Sequence, residues 1–158
     1  MRVERGDLNI VLCQCDILWE APRENCRRLS HLVERYMEGR TIDLLVFPEF
    51  FSMGFTMNYE VVLSERGETL RWMRSMALKH NVAGSVPTAS DGRIVNRCYF
   101  IAPDGEELHY DKRHLFRMGE ENEHYAAGES KVIAHYKGWN NALNVCYDLR
   151  FPVWSRNI

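Results

Sequence analysis

Three consecutive segments near the start of the chain constrain its fold most: a short apolar run, an amphipathic stretch and a second apolar run. The first, Leu8-Asn9-Ile10-Val11-Leu12-Cys13-Gln14-Cys15, suits a buried strand. Ala21-Pro22-Arg23-Glu24-Asn25 then opens a helix with proline near its first turn. Leu29, Leu32, Val33, Tyr36 and Met37 recur at helical spacing, and Gly39 marks its end. Ile42-Asp43-Leu44-Leu45-Val46-Phe47 is a second buried-type strand, ended by Pro48. This strand–helix–strand order predicts a parallel pair joined by a right-handed crossover, and with it an α/β fold.

The rest of the pattern extends that sheet. Residues 51–64 read as an irregular loop, because Gly54 and polar side chains break any period. Glu68 to Asn81 predicts an amphipathic helix with Leu70, Met73 and Ala77 on one face, and Val82–Pro87 a strand. Asp91-Gly92 and Asp104-Gly105 are turn signals, so Arg93–Ala102 and Glu106–Lys112 predict an antiparallel hairpin. Residues 113–130 read as a polar loop, Val132–Ala134 and Asn141–Cys146 as two more strands, and Trp154–Asn157 as the start of a helix.

A length of 158 residues is one domain's worth and buries a real core. A net charge of -2 gives no electrostatic reason to expect nucleic acid or an anionic membrane surface as partner. No apolar stretch approaches the ~20 residues a spanning helix needs, and the first residues lack the apolar region of a secretory signal. Cysteines at 13, 15, 26, 98 and 146 are odd in number and irregular in spacing. They argue against a disulfide framework and for a reducing, cytoplasmic setting. His109, His114, His124 and His135 fall at no ligand spacing and Cys13-x-Cys15 lacks a second pair, so no metal site is expected.

Cys146 sits at the end of an apolar run, where a strand turning toward a helix would expose a thiol beside backbone N–H groups. Such a thiol needs a base, and Glu49, directly after a buried strand and Pro48, is placed to supply one. Lys112, ending the hairpin strand, offers a fixed positive charge to an oxyanion, and the Tyr147 N–H a second donor. Each has a plainer reading when taken singly. Cys146 reads more often as a small buried hydrophobe, Glu49 as a surface residue or helix cap, and Lys112 as part of a solvated charge run. Met53, Phe55 and Met57 read either as pocket lining or as core, and Arg150 and Tyr147 as candidates for holding a substrate carboxylate.

Taken together, Phe47-Pro48-Glu49-Phe50, Asp111-Lys112-Arg113-His114-Leu115-Phe116 and Val145-Cys146-Tyr147-Asp148-Leu149-Arg150-Phe151-Pro152 resemble the three signatures of the nitrilase (carbon–nitrogen hydrolase) superfamily. Gly84-Ser85-Val86-Pro87 and Asn96 through Gly105 are similar to its supporting stretches, and the likeness runs from about Leu8 to Asn157. Arg150 through Asn157 is most similar to the omega-amidase branch, which releases ammonia from 2-oxoglutaramate and related omega-amides. The resemblance implies a four-layer αββα sandwich and a carbon–nitrogen hydrolase domain over residues 1–158. It also implies that residues 1–158 correspond to the N-terminal portion of that fold, so a chain incomplete at the C-terminus, without the later strands and helices and much of a homodimer surface, is expected.

By the same resemblance Glu49 is the general base, Lys112 the oxyanion stabiliser and Cys146 the nucleophile, with no cofactor and a small-molecule amide as substrate. A second glutamate belongs in the loop after the lysine. Counting back from Gly128 suggests Glu121, with Glu120 and Glu123 as competitors. Two other readings compete with the hydrolase: a catalytically silent fragment of the same fold, and a doubly wound binding module. No G-x-G-x-x-G loop supports the latter.

Overall fold

The computed structural model of the protein describes residues 6–90 and 92–156. Its element order is β1 (Ile10–Leu12), α1 (Pro22–Met37), β2 (Leu44–Val46), α2 (Tyr59–Glu65), α3 (Glu68–Ala77), β3 (Asn81–Ser90), β4 (Arg93–Ile101) and β5 (Glu107–Asp111). After these come a 3-10 turn at Arg117–Gly119, α4 (Glu121–His124), β6 (Tyr125–Ala126), β7 (Ile133–Tyr136), β8 (Trp139–Ala142), a 3-10 turn at Cys146–Arg150 and α5 (Pro152–Ser155).

The first six strands make one sheet in the order β1-β2-β3-β4-β5, with β6 also paired to β4. The expected parallel pair is present: Ile10 faces Leu44 and Leu12 faces Val46. β3 joins it in parallel, and β3, β4 and β5 continue antiparallel as the two turn signals predict. Helices α1 and α3 cover one face of this sheet through Cys26, Leu29, Val33, Met73 and Ala77, packed on Leu45, Phe47, Val82 and Val86. On the other face, Leu44, Ala83, Cys98, Phe100 and Tyr110 meet Ala134 of the antiparallel pair β7-β8 and Leu143 and Val145 of the irregular segment that follows β8. A helical layer, a sheet and a second small sheet are therefore stacked in that order, the mixed α/β arrangement expected. No described helix is long and apolar enough to cross a membrane.

Several sequence-based expectations are corrected. Residues 59–65 are helix rather than loop, because the Asn58 side chain accepts from the Val61 N–H at 3.3 Å and Val62 is buried. The helix read to residue 81 stops at Ala77, since buried Asn81 bonds the Asp43 carbonyl through its N–H at 3.2 Å and its amide at 3.1 Å and so belongs to β3. β3 runs past Pro87 to Ser90, which a proline tolerates there because β2 pairs β3 only as far as Ala83. Residues 113–130 hold a 3-10 turn, α4 and β6 instead of a plain loop. The strand expected over 141–146 is β8, Trp139–Ala142, hairpinned to β7 through Lys137 and Gly138, both with positive φ. The last helix begins at Pro152 rather than Trp154 and stops at Ser155, because Arg156 is extended; Asp91 of the first turn signal and Asn157 of the last helix lie outside the described residues.

Candidate active site

Glu49 follows β2 and Pro48 on a turn whose next residue, Phe50, has φ 50°. That turn is fixed by the Phe50 N–H donating to Ser85 Oγ at 3.2 Å and by Gly54 N–H returning to the Phe50 carbonyl at 2.8 Å. Gly84 allows the segment to lie flat on β3, since a Cβ there would stand 3.0 Å from Phe47 Cβ and Phe51 Cε1.

Lys112 leaves β5 with its N–H on the Asn96 carbonyl at 2.9 Å, and the strand end is clamped by Arg97 on Asp111, Nε to Oδ1 at 2.6 Å. Its ammonium, with no exposure, donates to Glu49 Oε1 at 2.7 Å and to Glu121 Oε2 at 2.8 Å. Burial pulls that ammonium toward neutrality, but the hydrogen bonds and charges of the two carboxylates outweigh it and hold the lysine above its ordinary range. Glu121 is itself fully buried at the start of α4 and accepts the Phe116 N–H at 2.6 Å.

Cys146 lies on a sharp elbow. Val145 is extended, and Cys146, with φ 41°, opens the 3-10 turn. A left-handed conformation at a non-glycine residue costs on the order of 1–3 kcal/mol and persists only where neighbours impose it. Cys146 is exposed and lines two cavities together with Glu49. Its pKa is raised, first by desolvation, then by the Glu49 charge and hydrogen bond, against an opposing pull from Lys112. The cysteine is therefore a protonated thiol beside a carboxylate, a nucleophile that needs its base.

The structure brings Glu49, Lys112, Glu121 and Cys146 to one place, and of the three glutamates weighed in the loop it is Glu121 that reaches the lysine. A cavity of about 850 Å³ opens there, lined by Glu49, Phe55, Phe116, Met118, Gly119, Cys146, Tyr147 and Arg150. Phe55 also sits under the Lys112 ammonium, 5.7 Å from its ring centre. Arg150 and Tyr147, the candidates for holding a substrate carboxylate, line this cavity. Met53 does not: it is 1% exposed and packs with Phe50, Val62, Ile94 and Tyr125, because the Phe50 turn folds it back into the core. A second cavity of about 510 Å³ lies between the sheets and shares Glu49 and Cys146 as its rim. Among the described residues no group of three His, Cys, Asp or Glu side chains could hold a metal ion.

Two polar residues escaped the sequence reading. Asn96, fully buried on β4, donates from Nδ2 to Glu49 Oε1 at 2.8 Å and to Glu121 Oε1 at 2.9 Å. Its signal was an asparagine between Val95 and Arg97 in a strand whose remaining residues, Arg93 apart, are apolar. Asp148, fully buried two residues after the cysteine, accepts hydrogen bonds from Tyr110, His114 and Val145. Only its place beside Cys146 marked it.

A sheet flanked by helices, a second sheet behind it and a Glu–Lys–Cys cluster at the strand ends define the chain's class, and residues 9–158 match the carbon-nitrogen hydrolase family model. The chain belongs to that family. It is 41% identical over 154 residues to omega-amidase YafV of Escherichia coli K12, and 31% identical over 149 residues to 2-oxoglutaramate amidase of Bacillus subtilis. These alignments cover 96% and 90% of this chain but only 59% and 57% of those proteins. Among solved structures it resembles XC1258 of Xanthomonas campestris, a CN-hydrolase superfamily protein, at 38% identity and TM-score 0.87. That match covers 96% of this chain and 58% of the other.

Proposed function

We propose that the protein hydrolyses the C–N bond of a small linear omega-amide of the 2-oxoglutaramate type. The observation that carries this reading is the convergence on one carboxylate: Glu49 accepts from the Lys112 ammonium at 2.7 Å and lines, together with Cys146, both cavities at the site. Glu49 takes the thiol proton as the sulfur bonds to the amide carbon. Lys112 has three N–H donors, two of them on carboxylates, and the third serves the oxyanion. The intermediate collapses by breaking the C–N bond; the nitrogen takes the proton from Glu49 and leaves as ammonia. Water then gives a proton to Glu49 and adds to the thioester, the carboxylic acid departs, and the proton returns to sulfur.

The relatives named above and the cavity support this substrate class. Phe55, Phe116 and Tyr147 give it apolar walls, and Arg150 supplies a cation for a carboxylate at the far end of the substrate. Five free cysteines support a reducing, cytoplasmic setting. The test is ammonia release from 2-oxoglutaramate by the protein and by Cys146→Ala. Turnover confined to the unsubstituted protein is expected; equal rates from the two would defeat the reading.

A further inference from the structure

We propose that Asp148 is a positioning residue whose buried carboxylate locks the Cys146 elbow to the end of the Lys112 strand, fixing sulfur against ammonium. The inference rests on the amidase reading above for its effect on turnover, while the tie between the two segments rests on geometry.

The carboxylate is fully buried and accepts four hydrogen bonds. Oδ1 takes the His114 backbone N–H at 2.9 Å and His114 Nδ1 at 2.8 Å. Oδ2 takes the Tyr110 hydroxyl at 2.8 Å and the Val145 N–H at 3.0 Å. These donors belong to two separate stretches of chain. Tyr110 and His114 stand two residues to either side of Lys112, and Val145 immediately precedes Cys146. One side chain thus ties the segment carrying the cation to the segment carrying the sulfur.

The tie is itself braced. An ionised carboxylate only accepts, so the network assigns the proton of the His114 ring to Nδ1. That ring is stacked on Phe151 at 3.7 Å and 8°, with Trp154 edge-on at 5.7 Å. The Tyr110 oxygen accepts in turn from the Arg113 N–H and from Trp154 Nε1, both at 3.1 Å. Phe151 touches Tyr147 edge-on at 5.3 Å, and Tyr147 touches Phe116, also at 5.3 Å. The brace therefore continues into two walls of the cavity at Cys146. Asp148 lines neither cavity that Cys146 borders. It acts through Cys146, whose φ of 41° is a conformation that a free cysteine would leave.

Asp148→Asn keeps the size and removes the charge; Tyr110→Phe leaves the carboxylate and removes one donor. For Asp148→Asn, kcat for ammonia release is expected to fall about 100-fold with KM changed less than about threefold, the effect of a misplaced nucleophile. Tyr110→Phe should lose about tenfold. Alkylation of Cys146 by iodoacetamide, followed on its own peptide by mass spectrometry, should move the other way. Released from Glu49 and from partial desolvation, the thiol should react several-fold faster, toward the rate of a free cysteine.

Buried Cys98 should stay unmodified in both variants. A purely structural role would instead open Cys98 together with Cys146. A folded Asp148→Asn protein with unchanged turnover and unchanged Cys146 alkylation overturns the proposal. Should that variant not fold, unchanged values in Tyr110→Phe overturn it equally. If the unsubstituted protein releases no ammonia, the amidase reading fails while the alkylation ratio still decides the role of Asp148.

Discussion

Glu121 Oε2 lies 2.8 Å from the Lys112 ammonium, and neither side chain has any solvent exposure. An ion pair so placed owes little to its own attraction, because desolvating both charges nearly cancels it, but each member is costly to strand. Glu121→Ala should therefore lower stability by about 3 kcal/mol in urea unfolding. Glu121→Gln, which keeps an acceptor for the ammonium and for the Phe116 N–H, should cost less than half of that. The double change Lys112→Met with Glu121→Leu should recover much of the lost stability while abolishing ammonia release, since it replaces buried charge by apolar volume.

At Cys146 the backbone conformation and the chemistry ask for different residues. The side chain is exposed, so trimming it removes little packing, while φ 41° favours glycine. Cys146→Gly should be more stable than Cys146→Ala by about 1 kcal/mol, with both lacking turnover. Thermal unfolding of the two variants measures the difference. Equal midpoints would mean that the elbow carries no strain.

The parts of the site that sit at the ends of periodic segments were legible in the sequence. Glu49 follows an apolar run and a proline, Lys112 ends a hairpin strand and Cys146 follows a hydrophobic run; in each case local pattern placed the residue. Asn96 and Asp148 were not legible, because apart from the Val145 N–H on Asp148 their side-chain bonds at the site go to residues 25 to 47 positions away. No local period encodes those distances. Met53 failed for a related reason: nearness to Glu49 in sequence suggested the pocket, but the positive φ at Phe50 reverses the chain and buries it. Helix α2 was hidden because its period spans only seven residues behind an irregular stretch, although Asn58 was a readable cap.

Burial pushes three thiols well above an ordinary 9.0: Cys13 to about 11, Cys26 to about 12 and Cys98 to about 12. Below pH 9.0 the folded and unfolded chains both hold these protons, so stability there is unaffected by them. Above it the unfolded chain loses them first, and stability falls as pH rises toward the folded-state values. Each thiol should steepen the decline by up to about 1.4 kcal/mol per pH unit. Urea unfolding under reducing conditions at about pH 8.5 and about pH 10.5 measures it, and Cys98→Ala should show a shallower slope. A flat profile would mean that the thiols titrate alike in both states.

Gly128 tests how closely the loop after Lys112 must lie against β5. Its N–H donates to the Lys112 carbonyl at 2.9 Å, and a Cβ there would stand 2.0 Å from the Asp111 carbonyl oxygen and 2.7 Å from its carbon. These are backbone atoms of the strand end that delivers the lysine, already clamped by Arg97, so they have little room to yield. Gly128→Ala should then cost at least 1–3 kcal/mol, roughly the range for forced overpacking, and should displace Lys112 with it. Ammonia release should fall by about tenfold or more even at temperatures where the variant remains folded, because the ammonium shifts relative to Cys146. Full activity in a destabilised Gly128→Ala protein would show that the loop absorbs the clash and leaves the strand end in place.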